Sequence, residues 1–152
     1  SVLALSRQGL PALVSNVGMV SQVEKGGYIL EDQNNFDLVL GATGSEVELI
    51  KKSAEALKKI GISARVISLP CVDIFQTQSE DYQKSVLSEK TPIIFVEAGS
   101  TALWHQFIKN RNGLVIGLDH FGESAPAEEL FKEFGLSVEN VVEQAKNLVC
   151  KK

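Results

Sequence analysis

The chain has 152 residues, of which 44% are hydrophobic and 22% charged, and a formal net charge of −4 from 15 Lys plus Arg against 19 Asp plus Glu. Its length suits one domain around a single core, and its composition is ordinary for a globular protein. The acidic balance, without a long cationic run, excludes a general nucleic-acid or anionic-membrane surface, and no apolar stretch approaches the roughly 18 residues of a membrane span.

Val2-Leu3-Ala4-Leu5 reads as a strand already under way at Ser1, with no initiator Met and no secretory h-region. The expectation is a chain cut from a longer one. Ser6-Arg7-Gln8-Gly9-Leu10-Pro11 breaks that strand, and residues 12–27 show no sustained period, so residues 8–24 read as a linker. The division expected is an extension over 1–24 and a domain over 25–152. Gly26-Gly27 releases the chain into a strand at 28–31, and Asp32-Gln33-Asn34-Asn35 supplies turn chemistry. So short a connection predicts a hairpin, with 28–31 antiparallel to a strand over 37–42.

Phe36 to Pro70 is the organising stretch. Leu38-Val39-Leu40 suits a strand buried on both faces. From Glu46, Val47, Ile50, Ala54 and Leu57 recur at helical spacing, and Gly61 follows where such helices stop. Arg65-Val66-Ile67-Ser68-Leu69 makes the second strand of a βαβ unit with parallel strands. Short helices over 72–78 and 79–87 follow, then a strand over 92–97, a helix over about 102–109 and a strand over 114–118. Ser124-Ala125-Pro126 opens a helix that stops at Gly135, and Ser137 caps the last one. The sum is a three-layer α/β/α domain on a five-stranded mixed sheet, four strands parallel and one antiparallel.

Gly41-Ala42-Thr43-Gly44-Ser45-Glu46 lies at a strand-to-helix turn, where open α/β sheets bind ligands. It matches neither the dinucleotide fingerprint nor a phosphate loop. The plainer reading is Ser45 as N-cap with Glu48 as its capping-box partner, and Glu46 and Glu48 in the first turn disfavour an anion. Glu97, at the next strand end, could act as acid or base, but no second titrating group is assured nearby. His105 beside Trp104 reads as a packing or interface residue; His120, in a loop, is the better candidate for contacting something. Two histidines, with Cys71 and Cys150 outside any metal-ligand spacing, do not make a zinc site. The thiols suit a reducing, cytoplasmic setting. Arg7, in an irregular segment, carries a fork suited to phosphate, although a lone surface arginine normally does nothing specific.

Leu5-Ser6-Arg7-Gln8-Gly9-Leu10-Pro11, Gly41 to Val47, Val96-Glu97-Ala98-Gly99-Ser100 with Trp104-His105, and Phe121-Gly122-Glu123-Ser124-Ala125-Pro126-Ala127 occur in one order. Together they closely resemble the C-terminal portion of transketolase, over nearly the whole chain. The resemblance implies a five-stranded mixed sheet with one antiparallel strand. It implies a homodimeric parent enzyme using thiamine diphosphate and a divalent cation (Mg or Ca) to move a two-carbon ketol unit from a ketose phosphate to an aldose phosphate, in the pentose phosphate pathway. The cofactor then lies between the two preceding domains, and residues 1–24 extend from the pyrimidine-binding domain. Arg7 would be the arginine that binds the sugar phosphate. Gly9 and Glu123 depart from the residues the family often has, Asn and Ala. The isolated chain is expected to bind no cofactor or metal and to transfer nothing. Two alternatives stand beside this. One is a sensor domain for a small anion or nucleotide in the crevice outside Gly44, Gly99 and Asp119. The other is dimerisation through exposed apolar residues around Trp104 and His105.

Overall fold

A computed structural model describes residues 5–6, 9–14 and 17–150, apart from the side chains of Val17 and Glu128. The strand expected at 2–5 therefore falls largely outside the described residues; Leu5 itself is exposed. Five strands form one sheet among the described residues: β1 (Tyr28–Glu31), β2 (Leu38–Ala42), β3 (Ala64–Ser68), β4 (Ile93–Val96) and β5 (Gly113–Ile116), in the order β1-β3-β2-β4-β5. Strands β3, β2, β4 and β5 are mutually parallel, and β1 is antiparallel. The helices are α1 (Val17–Val20), α2 (Glu46–Lys59), α3 (Val72–Gln76), α4 (Glu80–Leu87), α5 (His105–Ile108), α6 (Ala127–Glu133) and α7 (Val138–Val149), with 3-10 turns over Ser21–Lys25 and Thr101–Leu103. The stretch expected to be linker thus carries helical turns over 17–25.

The sheet separates two cores by the two-residue alternation of strand side chains. Leu38, Leu40 and Ala42 of β2, Val66 of β3, and Ile94 and Val96 of β4 face α2 and α7, meeting Ile50, Leu57, Val141 and Ala145. Val39, Ile67, Ile93 and Phe95 face the other way, onto Phe75, Val86 and Trp104. Every residue of β2 and β4 is buried, which is why those runs are continuously apolar. Gly41 is required by packing: a Cβ there would stand 2.6 Å from the Phe95 ring. Gly61 ends α2 at φ +82°, a left-handed conformation that glycine adopts without strain.

The expected hairpin does not form. β1 runs opposite to β2 but does not pair with it; its partner is β3, with Tyr28 opposite Ser68. Residues 32–37 need to cover only two strand spacings, about 10 Å, to carry the chain past β3, well within six residues' reach. Arg65 of β3 fixes that path. Its Nε and Nη2 donate to Asp32 Oδ1 and Oδ2, each at 2.9 Å, and its guanidinium lies 4.1 Å from the Phe36 ring centre. Asp37 then pairs with the strand's approach, accepting from Ser63 N at 2.9 Å.

Candidate functional site

In this strand order the chain leaves β2 for β3 on one side and then crosses to β4 on the other. The crevice outside the carboxyl ends of β2 and β4 is thus the switch point where such sheets place ligands. The turn after β2 brings Gly44, at φ +56°, to the head of α2. The capping box does not form: Ser45 is itself helical, and its hydroxyl donates to Glu46 Oε1 at 2.6 Å instead of accepting from the helix. Glu48 turns along the helix to Lys52, at 2.6 Å. The first turn is tied by Val47 N to Gly44 O at 3.4 Å, so helical Ser45 lacks the extended backbone that a cap uses.

Glu46 is 3% exposed and faces Glu97, which leaves β4 at the same edge. Burial pushes the Glu97 carboxyl above its usual range, and the Glu46 carboxylate adds to that. The Trp104 indole N–H opposes the rise, but Nε1 is buried without a hydrogen bond of acceptable geometry. Together they make a poorly solvated acid pair beside an indole donor. Two carboxyl groups so placed disfavour a phosphate at this edge.

The neighbouring strand end is closed by Asp119. Its carboxylate accepts from Thr101 N at 2.9 Å, Thr101 Oγ1 at 2.7 Å and Ser100 Oγ at 3.2 Å, bonds that hold its pKa below the usual value. His105 Nε2 lies 3.0 Å from Thr101 Oγ1. Leu118 N donates to Gly99 O at 2.7 Å, so the loop after β5 is stitched to the turn after β4. A groove of about 600 Å³ runs between Gly99, Ser100, Asp119, His120 and Phe121. His120 spends Nδ1 on the Phe121 carbonyl at 2.8 Å and sets its ring edge against Phe134. These groups hold loops together: the Ser100 and Thr101 hydroxyls are both spent on the Asp119 carboxylate.

The structure therefore gathers Glu46, Glu97, Ser100 and Asp119 at one edge, and His105 beside them. Trp104 is not at a surface: it is fully buried, stacked on Phe95 with ring centres 4.6 Å apart. The expected exposed apolar face around it is corrected to this extent: Trp104 is inside, while its neighbours Ala102, Leu103 and His105 are exposed. Arg7 lies outside the described residues. Cys71 is half-buried and Cys150 exposed, both free. Among the described residues no group of three His, Cys, Asp or Glu could hold a metal, and no helix is long and apolar enough to cross a membrane. Sequence reasoning missed Arg65 and also Arg111, whose Nη2 binds the carbonyls of Leu87, Ser88 and Thr91 and pins the loop before β4. A lone arginine carries no pattern that announces such a role.

Sheet order and edge together define an open α/β domain whose ligand-type crevice is bordered by acidic side chains. The chain belongs to the transketolase family, as its C-terminal domain: the family model described as the transketolase-like TK C-terminal domain matches residues 26–137. It is 43% identical to transketolase 1 of Pasteurella multocida over 154 aligned residues, covering 98% of this chain and 23% of the relative. Against the chloroplastic transketolase of Solanum tuberosum it is 45% identical, covering 97% of this chain and 20% of the relative. A Pichia stipitis transketolase structure superposes with a TM-score of 0.85 at 40% identity, over 95% of this chain and 20% of that one. The chain thus spans about a fifth of the length of the relatives it matches.

Proposed function

We propose that this chain is the C-terminal lobe of a ketol-transferring enzyme and does no chemistry alone. The observation that carries this is the coverage: nearly all of the chain aligns, and it accounts for about a fifth of each transketolase. The parent enzyme would move a two-carbon unit between sugar phosphates of the pentose phosphate pathway, as a cytoplasmic homodimer, although the Solanum relative is chloroplastic. Pichia transketolase structures with fructose 6-phosphate, xylulose 5-phosphate and sedoheptulose 7-phosphate support that substrate class.

Thiamine diphosphate and a divalent cation, the cofactors the family implies, do not fit the described residues. A diphosphate would meet the carboxylates of Glu46, Glu97 and Asp119 at the crevice, and no metal-holding cluster stands near. The same acidity weighs against a sensor for small anions or nucleotides. On this reading the cofactors belong to the domains that precede residue 25, residues 1–24 are the connection to them, and Arg7 binds the substrate phosphate from that connection.

The test is a fusion in which this chain replaces the matching region of the Pasteurella transketolase. The fusion should transfer ketol units, and Arg7→Ala should raise KM for a sugar phosphate at least about tenfold, the loss of a charge-assisted pair, while leaving KM for an unphosphorylated acceptor nearly unchanged. A correctly folded but inactive fusion would count against the assignment. An Arg7→Ala variant with unaltered KM would remove the role given to Arg7.

A further inference from the structure

Glu97 sits at the seam between the two cores. It follows Phe95 by two residues, so strand alternation sets it on the Phe95 side of the sheet, where Trp104 stacks. β4 pairs in parallel with β2, Val96 opposite Ala42, so the turn after β2 arrives beside it and delivers Glu46 at the head of α2. Glu46 is buried, and its Oε1 accepts from Ser45 Oγ at 2.6 Å. Trp104 Nε1 is buried without a hydrogen bond of acceptable geometry, yet stands near enough to act on the Glu97 carboxyl. Glu97 thus has a like charge on one side and an under-used donor on the other. The remaining charged groups around it are engaged elsewhere. Glu48 pairs with Lys52 at 2.6 Å on α2, Asp119 accepts from Ser100 and Thr101 beyond β5, and His105 Nε2 on α5 lies 3.0 Å from Thr101 Oγ1. Among the described residues, Glu46 is the charge that bears on Glu97.

Two carboxylates in a poorly solvated site repel, and one proton removes the repulsion. When that proton leaves to water, the new charge on Glu97 is pushed from Glu46 and drawn to the indole N–H. A hydrogen bond to a charged acceptor is roughly twice as strong as a neutral one. The two ionisation states therefore favour two positions of one side chain. The backbone around it has no slack to absorb the change. Leu118 N donates to Gly99 O at 2.7 Å, and a Cβ on Gly117 would stand 2.9 Å from Gly99 O and 3.2 Å from Glu97 O. A shift at 97–99 is passed directly to the exit of β5.

We propose that Glu46, Glu97 and Trp104 form a pH-operated latch at the switch point of the sheet: protonated Glu97 rests beside Glu46, and ionised Glu97 swings onto the Trp104 indole N–H and moves the 97–101 turn with the 117–121 loop. The chain has one tryptophan, so its proton–nitrogen NMR spectrum holds one indole signal. Recorded from below 4.5, the ordinary value for this carboxyl, to above neutrality, that signal should move downfield in one sigmoidal step. The Glu97 carboxyl carbon should titrate with the same midpoint, above 4.5, and the amides of Gly99, Gly117 and Leu118 should shift with it. Glu97→Gln should abolish the step. Glu46→Gln should lower its midpoint by removing the like charge, and Trp104→Phe should raise the carboxyl midpoint by removing the donor. His105→Gln should leave the step in place. An indole signal that stays still, a step that survives Glu97→Gln or vanishes in His105→Gln, or a midpoint indifferent to Glu46→Gln would overturn the latch. If Glu46→Gln fails to fold, the parent alone decides: coincident indole and carboxyl midpoints support the latch, and separate ones overturn it.

Discussion

Trp104 decides between a buried anchor and an interface residue, and it is the only tryptophan in the chain. Its side chain is fully buried, stacked 4.6 Å from Phe95 and tilted 6.3 Å from Phe107. Truncating a buried Trp typically costs about 3–5 kcal/mol from lost transfer and cavity terms, with roughly 0.5–1.5 kcal/mol of aromatic pairing within reach of the upper end. Trp104→Ala should therefore lose about 3–5 kcal/mol, or roughly 6–20 °C in Tm for a domain of this size. Trp104→Phe keeps the stack and loses both the donor and a small volume, so it should lie within about 1.5 kcal/mol of the parent. Urea unfolding followed by far-UV circular dichroism gives both values, and the parent's indole emission should shift to the red on unfolding. A loss below about 1 kcal/mol for Trp104→Ala, far under the usual cost of truncating a core Trp, would show that the ring is not the packed centre described here.

Other substitutions probe separate parts of the fold. Arg65→Ala removes a guanidinium 12% exposed, its paired bonds to Asp32 and its donation to Ser85 O at 2.6 Å; thermal unfolding should show a loss of about 2–3 kcal/mol, with Arg65→Lys recovering only part because an ammonium lacks the fork. Gly41→Ala places a methyl against the Phe95 ring and should cost about 1–3 kcal/mol, with Gly41→Ala plus Phe95→Leu less destabilised than the two single changes added together. Glu97 has a folded pKa raised by burial and then by Glu46, so its favourable contribution is complete below about pH 4.5, the unfolded value, and is lost as pH rises through the folded value. Glu97→Gln should accordingly gain stability over the parent at neutral pH and lose that advantage near the unfolded value of 4.5, read from denaturant midpoints across the range. Asp119 has the opposite sign: its clamp on Thr101 holds above the unfolded pKa of 3.8 and fails as pH falls through the depressed value, so the protection of amides over 119–123, taken relative to unstructured-peptide exchange at the same pH, should fall in acid.

What the sequence made legible follows from periodicity. The alternating and helical runs from Leu38 to Leu69 yielded β2, α2 and β3 because their side chains answer to one local geometry each. The antiparallel direction of β1 was legible, but its neighbour was not: pairing was settled by Arg65, 33 residues from Asp32 in sequence. Ser45 with Glu48 had the spacing of a capping box, yet backbone conformation at Ser45 diverted both side chains. The Glu46–Glu97 pair was invisible because its members are brought together only by strand adjacency of β2 and β4. Glu97 was noticed; its partner was read as helix-turn chemistry.

On the C-terminal-lobe reading, ketol-transfer chemistry lies in the domains that precede this one. Calorimetric titration of thiamine diphosphate with Mg²⁺ into the isolated chain tests it most directly. No saturable heat is expected, since the crevice meets the diphosphate with carboxylates and offers no metal cluster among the described residues. Stoichiometric, tight binding would contradict it.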